Sequence, residues 1–226
     1  MECAKFLGYS DYEGDVDRAI EVLSLAEEMS AKQWIEFLKE AKGASGRKSK
    51  TALVDGKVGH KWLESYVQSK INQQPAPAMP IGTLKRPIEQ FLEWEAKNIS
   101  TWVLSEALVA YPEKGYAGTL DAVAITKENK LALIDFKFAS HISEDYYLQT
   151  TGYSATFEPY GINIEERIII RLPKTLEREE WNEAEHKYEM MPNNLEVEIV
   201  KTNYEFDKNT FFHALPVKQW CNQFKK

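Results

Sequence analysis

The chain has 226 residues, 43% of them hydrophobic, with six Trp, eleven Tyr and ten Phe, enough for one large or two small domains with a substantial core. Its formal charge of −7 excludes the bulk attraction for nucleic acid or anionic membrane that a non-specific DNA coat protein would have. It does not exclude a nuclease, because a bound divalent cation offsets acidic ligands.

No apolar run approaches the length of a membrane span, and no signal peptide opens the chain. Cys3 and Cys221 make neither a disulfide framework nor a zinc spacing, so a soluble, cytoplasmic protein is expected.

Residues 15–29 read as a helix, with Asp15 and Asp17 at its start and Ile20, Leu23 and Ala26 on one stripe. Ser30 caps a second predicted helix over 31–42, which Gly43 ends. The loop 43–50 carries Arg47, Lys48 and Lys50 and reads either as a solvated linker or as a phosphate-contacting segment. A helical N-terminal extension over 1–55 and a second unit over 56–226 are therefore expected.

The second unit opens with a helix from about Gly59, whose apolar stripe is Val58, Trp62, Leu63, Tyr66 and Val67. His60 lies within a turn of that stripe. Pro75, Pro77 and Pro80 interrupt the chain over 72–82. Pro87, at the first helical position, predicts a helix to about Asn98. Residues 101–111 are strand-like and interrupted by Glu106.

Two apolar strands follow, 118–125 and 131–138, joined by the polar turn Glu128-Asn129-Lys130. Alternation puts Leu131, Leu133, Asp135 and Lys137 on one face and Ala132, Ile134, Phe136 and Phe138 on the other. A strand this apolar should be buried, yet it ends in a carboxylate and an ammonium, with Asp121 arriving from its neighbour. Asp/Glu-x-Lys by itself is common in this chain, since Glu40, Asp55, Glu95, Glu128 and Glu185 also precede a Lys by two. Two carboxylates and a lysine at the end of a buried hairpin point to a divalent-metal site with a positioned base; a purely structural ion pair is the other reading.

Ser143 can cap a helix to about Phe157 that presents Tyr146, Gln149 and Tyr153. Residues 167–172 form a central strand, 185–191 and 195–201 a hairpin around Pro192-Asn193-Asn194, and the end a helical segment that Pro216 breaks or restarts. The element order gives a mixed sheet flanked by helices, an α/β or α+β fold.

This order resembles the PD-(D/E)xK nuclease superfamily, especially its RecB-type exonuclease branch, which includes phage recombination and mitochondrial genome maintenance exonucleases. The resemblance covers roughly Lys57 to Leu172. It is carried by Gly56 or Gly59 with His60 and Glu64, by Glu106, by Gly118-Thr-Leu-Asp121, by Asp135-Phe136-Lys137, and by Gln149-Thr-Thr-Gly-Tyr153.

The resemblance implies a restriction-endonuclease-like core and a metal-dependent DNA exonuclease of phage or bacterial recombination or repair type. Asp121 and Asp135 would bind Mg²⁺ or Mn²⁺, joined by His60 and the backbone carbonyl of Phe136. Lys137 would orient or deprotonate the attacking water, Glu106 would hold a metal-bound water or second ion, and Gln149 and Tyr153 would contact DNA or support the site. Arg47 and Lys48 are candidate substrate contacts. Implied partners are linear duplex or single-stranded DNA ends, a single-strand annealing or recombination protein, and further copies of the chain. Some relatives hold an iron–sulfur cluster through four cysteines; two thiols cannot, so none is expected. No Walker motif appears. An endonuclease on the same fold, or a binding module that has lost catalysis, are the competing readings.

Overall fold

The computed structural model describes residues 56–183 and 185–222, all within the unit Gly56–Lys226. The helices expected over 15–29 and 31–42, and the loop carrying Arg47 and Lys48, lie outside the described residues.

The described chain begins in helix α1 (56–71), followed by α2 (Lys85–Asn98), β1 (Ile99–Tyr111), β2 (Tyr116–Thr126) and β3 (Leu131–Phe138). Then come α3 (Asp145–Ala155), β4 (Glu166–Leu172), β5 (Glu177–Asn182), β6 (Lys187–Pro192), β7 (Glu196–Ile199) and α4 (Tyr204–Asn222). Five strands form one sheet in the order β1-β2-β3-β4-β7. Among the described strands only the β3–β4 pair is parallel, the connection between them containing α3. The fold is therefore α+β, with a mixed, mostly antiparallel sheet flanked by helices. Among the described residues no helix is long and apolar enough to cross a membrane.

Local chemistry explains the turns. Gly115 closes the β1–β2 connection at φ 69°, a left-handed conformation that glycine adopts without a Cβ penalty. Asn129 does the same at φ 63° between β2 and β3, within the reach of an Asn side chain.

Both faces of the sheet are covered. Ala132, Ile134, Phe136 and Phe138 of β3 pack with Ile168, Ile170 and Leu172 of β4 against Trp62, Leu63, Tyr66 and Val67 of α1 and Ile88 and Phe91 of α2. On the other face, Leu120, Val123 and Leu133 pack with Tyr153, Phe157 and Ile164. The alternation read from β3 thus holds over its whole length. Val58, placed on the apolar stripe of α1, is instead half exposed.

Four expectations are corrected. Helix α2 starts at Lys85, so Pro87 occupies its third position; its missing N–H is still one of the donors that a first turn leaves unpaired. Ser143 does not cap α3 with its side chain; Glu144 is the capping residue, and Ser143 contributes only its carbonyl, which accepts from Tyr146 N–H at 3.0 Å. Pro216 lies inside the continuous helix α4, costing it one backbone hydrogen bond, while Phe211 and Phe212 fix the preceding turn against Tyr116.

The fourth correction is the largest. Residues 187–192 and 196–199 do not pair with each other: β6 joins β5 in a separate two-stranded ribbon, and β7 lies antiparallel to β4. The intervening segment is claimed by other groups. Buried Arg171 donates to Asn193 Oδ1 at 3.1 Å and to the Asn194 carbonyl at 2.9 Å. Arg86 and Gln90 of α2 both donate to Asn194 Oδ1 at 2.9 Å. Asn193 and Asn194 therefore tie α2 to the sheet and do not form a hairpin turn.

Helix α1 docks so closely that a Cβ on Gly59 would overlap the ring of Phe138, which is itself buried. Overpacking of this kind costs about 1–3 kcal/mol, more than the roughly 1 kcal/mol by which Ala outranks Gly in a helix. Gly59→Ala should lower unfolding stability in denaturant titrations, and the loss should vanish in a Phe138→Leu background.

Candidate active site

The site begins where two strands part. Strands β2 and β3 pair from Ile125 and Leu131 up to Ala122 and Ile134, and the ladder stops there. The next residue on each, Asp121 and Asp135, carries a carboxylate. Asp121 Oδ2 accepts the backbone N–H of Phe136 at 2.7 Å, so a side chain takes the place of the missing strand partner. Because a strand residue directs its N–H and C=O to the same edge, the carbonyl of Phe136 also faces this opening.

Asp135 and Lys137 form an ion pair at 2.8 Å, with side chains 2% and 17% exposed. The same spacing recurs in the Glu128–Lys130 and Glu185–Lys187 pairs, where every partner is at least 40% exposed. Burial, not spacing, singles out Asp135–Lys137. Helix α3 completes the pair's surroundings. Lys137 Nζ donates to Asp135 Oδ1 at 3.0 Å and to Gln149 Oε1 at 2.9 Å, and it lies 4.8 Å from the centre of the Tyr146 ring. Gln149 Nε2 in turn donates to the Tyr153 hydroxyl at 3.2 Å. The Tyr153 ring lies over Gly118, where a Cβ would come within 2.8 Å of it, so the glycine of Gly-x-x-Asp makes room for the tyrosine of Gln-x-x-x-Tyr.

His60 reaches the site from α1. Its ring meets Phe138 edge-on at 5.2 Å between centroids, an approach that the bare backbone of Gly59 permits. Burial, reinforced by the Lys137 charge and opposed by Asp135, pushes the His60 pKa down, favouring the neutral ring.

Glu106 lies on β1 opposite Asp121, since the flanking pairs are Ser105 with Ala122 and Ala107 with Leu120. Its φ is 47°, a left-handed conformation inside a strand, where a non-glycine residue is strained by about 1–3 kcal/mol. Partial burial, then the nearby charges of Asp121 and Glu64, push its carboxyl pKa upward. Sequence pattern places this carboxylate on the strand but contains no sign of the strain.

Asp121 and Asp135 also titrate high. For Asp135 burial is the main cause, opposed by Lys137 and reinforced by Asp121, and the value is pushed up to about 6. For Asp121 burial outweighs the Phe136 N–H and the Lys137 charge.

A divalent cation fits this chemistry. Asp135 Oδ2 is buried and accepts no hydrogen bond, although Lys137 Nζ stands 2.8 Å away, off the bonding direction. The ammonium balances the charge of that oxygen without a well-directed hydrogen bond. With Asp121 and the Phe136 carbonyl this is an all-oxygen donor set of the kind Mg²⁺ and Mn²⁺ take. Among the described residues no three His, Cys, Asp or Glu side chains gather into a ligand cluster. The oxygen donors at this opening are the two carboxylates and the Phe136 carbonyl, and His60 stands near enough for its ring and the Asp135 carboxylate to act on each other's charge.

Comparison with protein-family models and with curated proteins returns no match for this chain.

Two predictions follow from the carboxylates. Since the Asp135 carboxyl is harder to ionise folded than unfolded, its contribution to stability is full below about pH 4 and lost as pH rises through about 6. The loss is roughly 3 kcal/mol at 1.36 kcal/mol per unit. In EDTA, Asp135→Asn should therefore gain stability relative to wild type between pH 4 and 7; parallel melting curves would refute the assignment. At position 106, Glu106→Gly should be more stable than Glu106→Ala by about 1 kcal/mol, because only glycine relieves a left-handed backbone. Equal stabilities would show that the strain is absent.

Proposed function

We propose that this protein is a metal-dependent deoxyribonuclease that hydrolyses phosphodiester bonds from DNA ends. The observation that carries the reading is the buried Asp135–Lys137 pair at the parting of β2 and β3, with the Asp121 carboxylate arriving from the neighbouring strand. The resemblance of the ordered motifs to RecB-type exonucleases supports the exonucleolytic direction, and the α+β sheet is compatible with that fold.

In this reading Asp121, Asp135 and the Phe136 carbonyl hold Mg²⁺ or Mn²⁺. The bound ion supplies a Lewis acid for the phosphate oxygens. Lys137 does the positioning. An ammonium has three N–H donors, and two are spent on Asp135 and Gln149. Held there, the ammonium would orient the attacking water toward the phosphorus, on a nitrogen that cannot swing away. Gln149 fixes that nitrogen, and Tyr153 fixes Gln149. Hydrolysis then joins the water oxygen to phosphorus, releases the other ester oxygen, and leaves one strand end with a phosphate and the other with a hydroxyl.

The test is digestion of end-labelled linear DNA with Mg²⁺, Mn²⁺ or EDTA. Linear DNA should be lost only with metal, covalently closed circles should be spared, and Lys137→Ala should reduce the rate by about 10²-fold or more. Digestion that EDTA or Lys137→Ala leaves intact would overturn the reading, and cleavage of closed circles would turn it into an endonuclease.

A further inference from the structure

The site is short of positive charge for an anionic substrate. Asp121, Asp135, Glu106 and Glu64 surround it, Lys137 is spent on Asp135, and Lys61 is paired with Glu64 at 2.7 Å. His60 is held toward its neutral form. A phosphodiester approaching this surface needs a cation that no carboxylate already occupies.

Lys174 is such a cation. Strand β4 runs parallel to β3 with Leu172 beside Phe138, so residues 173 and 174 leave the sheet at the end at which Lys137 stands. Phe138 is also the residue against which Gly56, Gly59 and His60 pack, which puts the start of α1 at the same end. The positive charge of Lys174 acts on the His60 ring across this gap. Among the described residues Lys174 has no hydrogen-bond or ion-pair partner, unlike Lys61, Lys130 and Lys137.

Its backbone is fixed on both sides. Pro173 is buried. Just beyond, Asn193 donates its N–H to the Leu176 carbonyl at 2.9 Å and its side-chain amide to Thr175 Oγ1 at 3.1 Å. A half-buried lysine on a pinned backbone, aimed at no carboxylate, is preorganised for an anion. The ribbon that follows carries Glu177, Glu179, Glu180, Glu183, Glu185 and Glu189 against Arg178 and Lys187, so its own net charge is unfavourable for a phosphate chain.

We propose that Lys174 binds a backbone phosphate of the nucleic-acid strand being cut, beside the phosphodiester that meets Asp121, Asp135 and Lys137. This subsite rests on the nuclease reading and deepens it.

The experiment measures cleavage of single-stranded and duplex oligonucleotides by the full chain, as wild type, Lys174→Ala and Lys174→Arg, across 50–200 mM salt. One lost phosphate contact should lower kcat/KM about 5–10-fold near 0.1 M salt, through KM, with kcat changed less than about 2-fold. It should also flatten the plot of log kcat/KM against log salt by about 0.9 on duplex or about 0.7 on single strands. Lys174→Arg should retain wild-type slope, and all three proteins should melt alike. An unchanged slope and KM in Lys174→Ala would overturn the subsite while wild-type cleavage kept the nuclease. Absence of cleavage by wild type in any metal would overturn both.

Discussion

The arrangement depends on one hydrogen bond, from the backbone of Phe136 to the carboxylate of Asp121. If β2 and β3 stayed paired for two more residues, that N–H would go to the Leu120 carbonyl and the two aspartates would face each other across a closed ladder. By substituting for the strand partner, Asp121 opens the sheet without orphaning a buried donor. The gap so created is where the carboxylates, the Phe136 carbonyl and Lys137 face together.

Such a gap is costly. Two carboxyls with raised pKa values, Asp135 buried and Asp121 partly so, and a left-handed glutamate all oppose folding at neutral pH. What offsets them lies elsewhere: two apolar layers on opposite sides of the sheet, and two buried arginines whose donors are used. Arg171 reaches Glu196, Asn193 and Asn194. Arg167 reaches Asp207 and Thr202 and stacks on Tyr204, tying β4 to α4. Both arginines sit on β4, so the strand that neighbours the site also anchors the C-terminal part of the chain. Stability and chemistry are thus divided between the two edges of β3.

Much of this was legible from side-chain period. Apolar alternation located β3 and its two faces, and the unbroken Ile168-Ile169-Ile170 located β4, because burial on both faces demands such sequences. The clustering of Asp121, Asp135, Lys137, Gln149 and Tyr153 followed once those strands and α3 were placed. Period failed where tertiary partners decide. Strand β5, Glu177–Asn182, has charges at four of its six positions and is a strand only because β6 pairs with it. The alternation read over 185–191 and 195–201 becomes extended chain only over Lys187–Pro192 and Glu196–Ile199, and Arg171 and α2 capture the asparagines between and send the two halves to different sheets. The conformation of Glu106 and the free charge of Lys174 carry no local signature, since each is defined by residues far away in sequence.

The strand order also bears on synthesis. Asp121, Asp135, Lys137 and Gln149 all precede residue 150, yet β3 gains its second neighbour only when β4, Glu166–Leu172, follows. As the chain leaves the ribosome, β3 must wait some thirty residues, with one edge and a buried-type ion pair in water, before its core closes. Fragments ending before β4 would hold nearly every residue of the site and still lack the wall that makes it one. The chemistry is encoded early in the chain and becomes available late.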